Sequence, residues 1–426
     1  MRPVRFHLLF FTLACLLLAS CHPSTRPPVN PASNERPVLL LVSIDGFRAD
    51  YLERDLTPRL AALAAQGVRA KAMRPAFPSL TFPNHYTLIT GLVPDHHGLV
   101  NNVMLDPNIP GEHFSMRNRA AVENAAWWNG GQPLWNTAHA AGLRTATMFW
   151  PGSEAPVRGQ QPDYWFVFDA DRSPRQRVQQ VLDWLDLPAV ERPHFITLYF
   201  DAVDHEGHVH GPDSDELKQA LVDTDAVLGQ LLDGLQQRGL WQRINLVVVS
   251  DHGMAEMPKG QFVILDDYVA PDVFELIAGG PLAGIEAKPG REIELDTALA
   301  NADMTHAQCW RKDQVPARYR YGSHPRIPRW ICMADEGWTF VPKAMLDKTW
   351  AREPNRGAHG FDPALDSMAA LFVAHGPDFQ QGLVVPGFDS VDVYPLLARL
   401  LGIEPEVNDG NPDATLSLLR TAPNRD

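Results

Sequence analysis

The sequence predicts an α/β fold, a mainly parallel central sheet with helices on both faces and a smaller inserted subdomain. Two observations predict it. Apolar, β-rich runs alternate with segments of helical spacing, and three of those runs deliver an acidic residue at their C-terminal end, as in VLLLVSID, HFITLYFDAVD and INLVVVSD. Chemistry placed at strand C-termini is the geometry of an open parallel sheet, which collects residues distant in sequence at one edge.

Taken in order, residues 1–20 (MRPVRFHLLFFTLACLLLAS) have a basic start, an apolar middle and a small-residue end, and read as an export signal. Leu18-Ala19-Ser20-Cys21 resembles a bacterial lipobox, so Cys21 is expected to carry lipid and to anchor the protein to a membrane facing the periplasm. The apolar run is too short for a comfortable span of roughly 20 residues. Residues 21–36, rich in Pro, Ser and Asn, are expected to be a flexible tether. A catalytic domain is expected over 37–405, with a C-terminal tail over 406–426.

Within that domain VLLLVSID is a buried strand ending in Asp45, and TPRLAALAAQG is a helix with Gly67 at its end. TFPNHYTLITG starts a helix with Pro83 in its first turn and Thr81 at or near the N-cap. SDELKQALVDTDAVLGQLLDGLQQRG has helical spacing of Leu and Val and stops at Gly239. The interval 258–355 breaks the rhythm with mixed strand signals, Trp, Pro and two cysteines, and is expected to be the inserted subdomain. SMAALFVAHGP is a late strand and SVDVYPLLARLLGI a helix packing back.

The 426 residues carry a formal net charge of −14, and loss of Arg2 and Arg5 with the signal takes it to −16. Such an acidic body argues against nonspecific nucleic-acid binding, so no stable nucleic-acid partner is expected. A small anionic substrate is still compatible, because bound metal ions supply the local positive charge. Of four cysteines, Cys15 leaves with the signal and Cys21 takes lipid, which leaves Cys309 and Cys332 as a candidate intrachain disulfide in an oxidising compartment.

Seven polar residues sit in short turn-forming blocks: Asp45, Thr81, Asp204, His208, Asp251, His252 and His359. Three Asp and three His suit two divalent metal ions with mixed oxygen and nitrogen ligands, zinc before calcium or magnesium. Asp204 and His208 lie four apart, on one helical face or, given Gly207, in a tight loop. Asp251-His252 closes a buried strand with adjacent ionisable groups, which need a partner. Singly, each block has a plainer reading: Asp45-Gly46 a turn, Thr81 a helix cap, His359 part of a Gly-rich turn, His205 and His210 surface groups. Together they point to a two-metal hydrolase of phosphate esters. A threonine hydroxyl beside zinc can lose its proton near neutral pH, as zinc-bound water does at about 7, and a helix N-terminus favours a phosphate oxygen there.

The blocks SIDGFR, TFPNHYTLITGLVPDHHGLVNN, FWPGSE, DHEGHVHGP, SDHGM, PRIPRWICMADEGW and GAHGFD, spread over about residues 38 to 403, resemble the nucleotide pyrophosphatase/phosphodiesterase (NPP) family of the alkaline phosphatase superfamily. The resemblance implies two Zn²⁺, one held by Asp204, His208 and His359, the other by Asp45, Asp251 and His252 with Thr81. It implies that Thr81 attacks phosphorus, that a phosphothreonine ester forms and is hydrolysed, and that Asn102 donates to a phosphate oxygen. The expected substrate is a small nucleotide cleaved at a phosphodiester or pyrophosphate bond to a nucleoside 5′-monophosphate. Phe82 follows the nucleophile, and Tyr164 or Trp165 in QPDYWFVF falls where nucleotide-cleaving relatives supply a second ring, so the two would sandwich a base for about 1 to 3 kcal/mol. One neutral asparagine beside two metals suits the lower charge of a diester. The alternatives are a glycerophosphocholine or lysophospholipid phosphodiesterase and a non-catalytic phosphate-binding surface lipoprotein.

Overall fold

The computed structural model describes residues 37–346 and 355–420. The expected export signal, lipid-bearing Cys21 and tether lie outside the described residues. Eight strands form the main sheet: β1 (Val38–Ile44), β2 (Val68–Arg74), β3 (Thr145–Met148), β4 (Tyr164–Trp165), β5 (Phe195–Phe200), β6 (Ile244–Val249), β7 (Phe372–His375) and β8 (Leu383–Asp389). Their order is β8-β2-β7-β6-β1-β5-β3-β4. β7 pairs antiparallel with β2 and β6, and the other pairings in the sheet are parallel. The expected mainly parallel α/β sheet is therefore the observed one.

Strand alternation assigns the core. Leu39 and Leu41 join Val247 and Val249 in one apolar cluster, while Leu40 and Val42 join Leu246 and Val248 in the other. Because both faces are covered, the strands read as continuous apolar runs. Helices α2 (Thr81–Thr90) and α6 (Val393–Leu401) pack on the first face. Helices α1 (Pro58–Gln66), α3 (Pro174–Leu185) and α5 (Asp215–Gln237) pack on the second, and α4 (Ala202–His210) follows β5 directly. Local signals fix their ends. Ser173 and Gln176 close a capping box on α3, and Ser214 accepts the Leu217 N–H at the start of α5.

A smaller antiparallel sheet has the order Phe274–Ala278, Leu282–Ala287, Trp330–Ala334, Ala307–Arg311, with helix Glu292–Ala300 and an apolar core of its own. Cys309 lies opposite Cys332 across its last pairing, and the two are joined in a disulfide. Between those strands the chain returns to the main body. Asp95 accepts the N–H groups of Gly322, Ser323 and His324, and the Tyr321 hydroxyl donates to the Val100 carbonyl.

Candidate active site

Ile44 pairs with Phe200 and Ser43 with Val249, so the residues that follow β1, β5 and β6 emerge at one level of the sheet edge. Asp45 and Asp251 stand there directly. Asp204 and His208 lie one turn apart on α4, so the helix, not the loop, is the outcome for that pair. His359 follows the short strand Gly357–Ala358, which pairs antiparallel with Ala255–Glu256 just beyond His252. Two glycines make this convergence sterically feasible. Gly46 has φ +65°, and a Cβ there would sit 2.9 Å from the Asp204 Cα; a Cβ on Gly357 would sit 2.2 Å from the Gly207 carbonyl oxygen.

The side chains meet in one space. His252 Nε2 is 2.9 Å from Asp251 Oδ2, 3.6 Å from Asp45 Oδ1 and 3.3 Å from Thr81 Oγ1. Asp204 is 3.5 Å from His208 Nε2 and 3.6 Å from His359 Nε2. The His359 ring stacks on His252 with centroids 3.5 Å apart. All three imidazoles donate Nδ1–H to a backbone carbonyl at 2.9 Å: His208 to Gly357, His252 to Gly253 and His359 to Ser79. That sets one tautomer and leaves every Nε2 as a lone pair facing inward.

The donor set fits divalent cations. Asp45 Oδ1, Asp204 Oδ1 and Asp251 Oδ2 are buried with no hydrogen-bond partner among the described residues, an unfavourable arrangement for carboxylate oxygens unless a cation meets them. The close approach of Asp251 Oδ2 to His252 Nε2 brings two acceptors together, for the same reason. Burial, reinforced by Asp251 and Asp204, pushes the Asp45 carboxyl well above its ordinary range. Burial acts upward on Asp251 too, but His252 and His85 outweigh it and hold that carboxyl well below the usual value. Burial and the facing His252 and His208 push His359 well down, while Asp251 overcomes burial and raises His252. Crowded carboxylates and neutral imidazole lone pairs are what a site for borderline divalent ions requires. Two groups of ligand atoms lie within 4.8 Å: Asp204, His252 and His359, and Asp45, His85 and Asp251.

Thr81 is the first residue of α2, with Leu80 as the N-cap, and its hydroxyl faces His252 Nε2 at 3.3 Å. The hydroxyl therefore remains for the cluster. Beside it the Phe82 N–H donates to Asn102 Oδ1 at 3.0 Å, so the amide NH₂ of Asn102 carries the remaining donors. The loop bearing Asn102 is held by Arg326, which donates to Gly98 O at 2.8 Å and Asp106 Oδ2 at 2.6 Å.

The model of the type I phosphodiesterase / nucleotide pyrophosphatase family matches residues 39–362. The chain belongs to this family. It is 38% identical over 400 residues to a venom phosphodiesterase of Crotalus durissus collilineatus, covering 92% of this chain and 47% of that protein. It is 35% identical over 393 residues to an uncharacterized pyrophosphatase/phosphodiesterase of Schizosaccharomyces pombe, covering 90% of this chain and 80% of that one. The chain thus spans about half the length of the Crotalus relative. Among solved structures, human NPP5 superposes with a TM-score of 0.85 at 34% identity, covering 90% of this chain and 100% of that chain. An inactive murine NPP5 in complex with AMP gives 0.85 at 32% identity, covering 91% and 100%.

Against the NPP expectations, one pair needs correction. Tyr164 sits on edge strand β4, its hydroxyl donating to the Glu191 carbonyl and its ring 6.2 Å from Trp184, and Trp165 is half-buried on the same strand beside Thr147. The aromatic of that segment that packs toward the cluster is Phe168, 37% exposed, with its ring 6.2 Å from Tyr199, whose hydroxyl donates to Asp45 Oδ2 at 2.6 Å. Four aromatics in five positions gave the sequence no means of choosing among them. Phe82 does stand beside Thr81, packed against Phe114 and Trp128. Sequence reasoning also missed His85 and Tyr199. A lone His on an apolar helix face and a Tyr in an apolar strand both read as core.

Proposed function

We propose that the chain is a two-zinc phosphodiesterase that cleaves nucleotides at phosphodiester or pyrophosphate bonds and releases nucleoside 5′-monophosphates. The observation that carries this reading is the set of three unpartnered carboxylate oxygens and three inward Nε2 atoms around the Thr81 hydroxyl. Asp204, His208 and His359 would hold one ion; Asp45, Asp251, His252 and Thr81 would hold the other. His252 belongs with the second set because its Nε2 lies nearest Asp251.

Zinc bound there would acidify the threonine hydroxyl and hold negative charge on the leaving and nonbridging oxygens. Thr81 Oγ1 gives up its proton to solvent and attacks phosphorus in line; the bond to the leaving oxygen breaks, the departing alcohol takes a proton from solvent, and a phosphothreonine ester forms. Water then attacks that ester from the opposite side, which restores the Thr81 hydroxyl and frees the monophosphate. Asn102, with Oδ1 pinned by Phe82 N–H, presents its NH₂ to a nonbridging oxygen. Phe82 and Phe168 supply apolar ring faces at the cluster's margin on which a base can stack. The AMP complex of murine NPP5 supports a nucleotide as the substrate class.

The deciding measurement is kcat/KM for a nucleoside 5′-diester, a dinucleotide, glycerophosphocholine and a simple monoester on one preparation. Dominance of the nucleotide diesters is expected; dominance of the monoester would overturn the diesterase reading. The same proposal places the body outside the cytoplasm on a lipid at Cys21, supported by residues 1–21 and by the disulfide. Fatty-acid labelling that persists in Cys21→Ala would remove that part alone.

A further inference from the structure

We propose that His85 is a positioning residue that fixes the nucleophilic Thr81 against the strand carrying Asp45, and that it is not a metal ligand. The inference rests on the proposed role of Thr81. Its basis is a fully buried imidazole bonded at both nitrogens. Nδ1 lies 2.9 Å from the Thr81 carbonyl and Nε2 lies 2.9 Å from Ser43 Oγ. A carbonyl only accepts, so Nδ1 carries the hydrogen and donates it; Nε2 is then the acceptor, and the Ser43 hydroxyl donates to it. Neither nitrogen keeps a lone pair for an ion, although His85 Nδ1 is 3.4 Å from Asp251 Oδ2 and the trio Asp45, His85 and Asp251 is tight enough to hold one.

The two bonds join the two halves of the reacting geometry. Ser43 is two residues before Asp45 on β1, and Thr81 is four residues before His85 on α2. The ring is itself held. The indole Nε1–H of Trp150 donates to the His85 carbonyl at 3.0 Å, and Trp150 and Tyr199 pack edge-on against the imidazole at 5.0 and 5.3 Å. Contact with the Thr81 backbone, not its hydroxyl, means that His85 sets where Oγ1 points without sharing in proton transfer. Misplacing a reacting atom by about 1 Å costs on the order of 10²-fold in rate.

The test compares His85→Phe, which keeps the ring and removes both bonds, with His85→Asn, which keeps a donor near the Thr81 carbonyl, and with Ser43→Ala, which removes only the far bond and leaves the imidazole in place if the larger changes do not fold. Turnover of a nucleoside 5′-diester is read per bound zinc, with KM and zinc content measured in parallel. Expected are a fall in kcat of about 10²-fold for His85→Phe, partial recovery in His85→Asn, a fall of about fivefold for Ser43→Ala, and unchanged KM and zinc content throughout. Unchanged kcat per zinc would overturn the proposal, as would activity that falls only in step with zinc. A second arm needs no turnover. In ¹⁵N-histidine-labelled wild-type protein titrated with zinc, the His85 Nδ1–H signal is expected to persist and the His85 Nε2 resonance to keep its position at saturation; loss of the first, or a displacement of the second that tracks bound zinc, would make His85 a ligand. Wild-type protein inactive on diesters would refute the functional reading, while the zinc titration would still decide whether His85 is a strut or a ligand.

Discussion

The two halves of the Asp/His cluster are built differently. On the inner side, Asp45, Asp251 and His252 come from the ends of β1 and β6 and are at most 2% exposed. On the outer side, Asp204 and His208 ride on α4 and are 19% and 27% exposed. The inner half is part of the sheet and cannot move without it; the outer half depends on a nine-residue helix and a two-residue strand laid over it. The difference separates two tasks. A rigid, dry wall suits the placing of a nucleophile, and a half-open wall suits entry of water and exit of a leaving group.

The largest effect tests the inner side. Thr81→Ala is expected to lower turnover by about four orders of magnitude, the scale seen when a nucleophile is lost, while zinc content stays near wild type because six other ligand side chains remain. Turnover near wild type would remove the covalent mechanism. Next in size comes the contrast between the walls. His208→Gln should weaken binding of one ion, with activity recovered in excess zinc, whereas Asp251→Asn should resist such rescue because it removes one of the two buried carboxylates that would balance an ion's charge there, and a neutral amide cannot replace it. During chelation, zinc release is expected in two phases, fast from the outer set and slow from the inner. A single phase would show that the halves act as one site.

A smaller effect sharpens the same contrast. Tyr199→Phe removes the 2.6 Å hydrogen bond to Asp45 and keeps the ring. Partners of metal ligands are typically worth roughly 10- to 100-fold in affinity, so the slow phase of zinc release should quicken by that order while the fast phase is unchanged. An equal change in both phases would mean that Tyr199 does not act through Asp45.

The contrast also marks what the sequence could say. Asp45 and Asp251 were legible because an apolar run that ends in a carboxylate has few structural excuses, and the parallel sheet followed from the same runs. His208 was legible only as a residue four beyond Asp204; Gly207 signalled a loop. The segment is helical all the same, with Gly207 packed on Met254, where a Cβ would lie 3.0 Å from the methyl group. His85 sat in view inside TFPNHYTLITG, yet its importance lies in two hydrogen bonds, one of them to a serine on another element, and no spacing encodes that. Phe168 lost to Tyr164 and Trp165 because the edge strand stops at Trp165, and only the turn beyond it swings a ring toward Tyr199.

The smallest predicted effect concerns the packing beneath α2. His97 is fully buried under α2, where its Nδ1 accepts the Leu99 N–H and its Nε2 lies 3.2 Å from the Pro83 carbonyl, joining the helix that begins at Thr81 to the loop that carries Asn102. Burial pushes its pKa down from 6.5 to about 3. The unfolded chain therefore takes up the proton first as pH falls, so stability is complete above about 6.5 and declines from there toward about 3. Between pH 6.5 and 5 the loss from this one group is roughly 2 kcal/mol. Melting temperatures measured across that interval should fall less steeply in His97→Gln, which cannot gain a proton, than in wild type. Parallel slopes would place the acid sensitivity in groups other than His97.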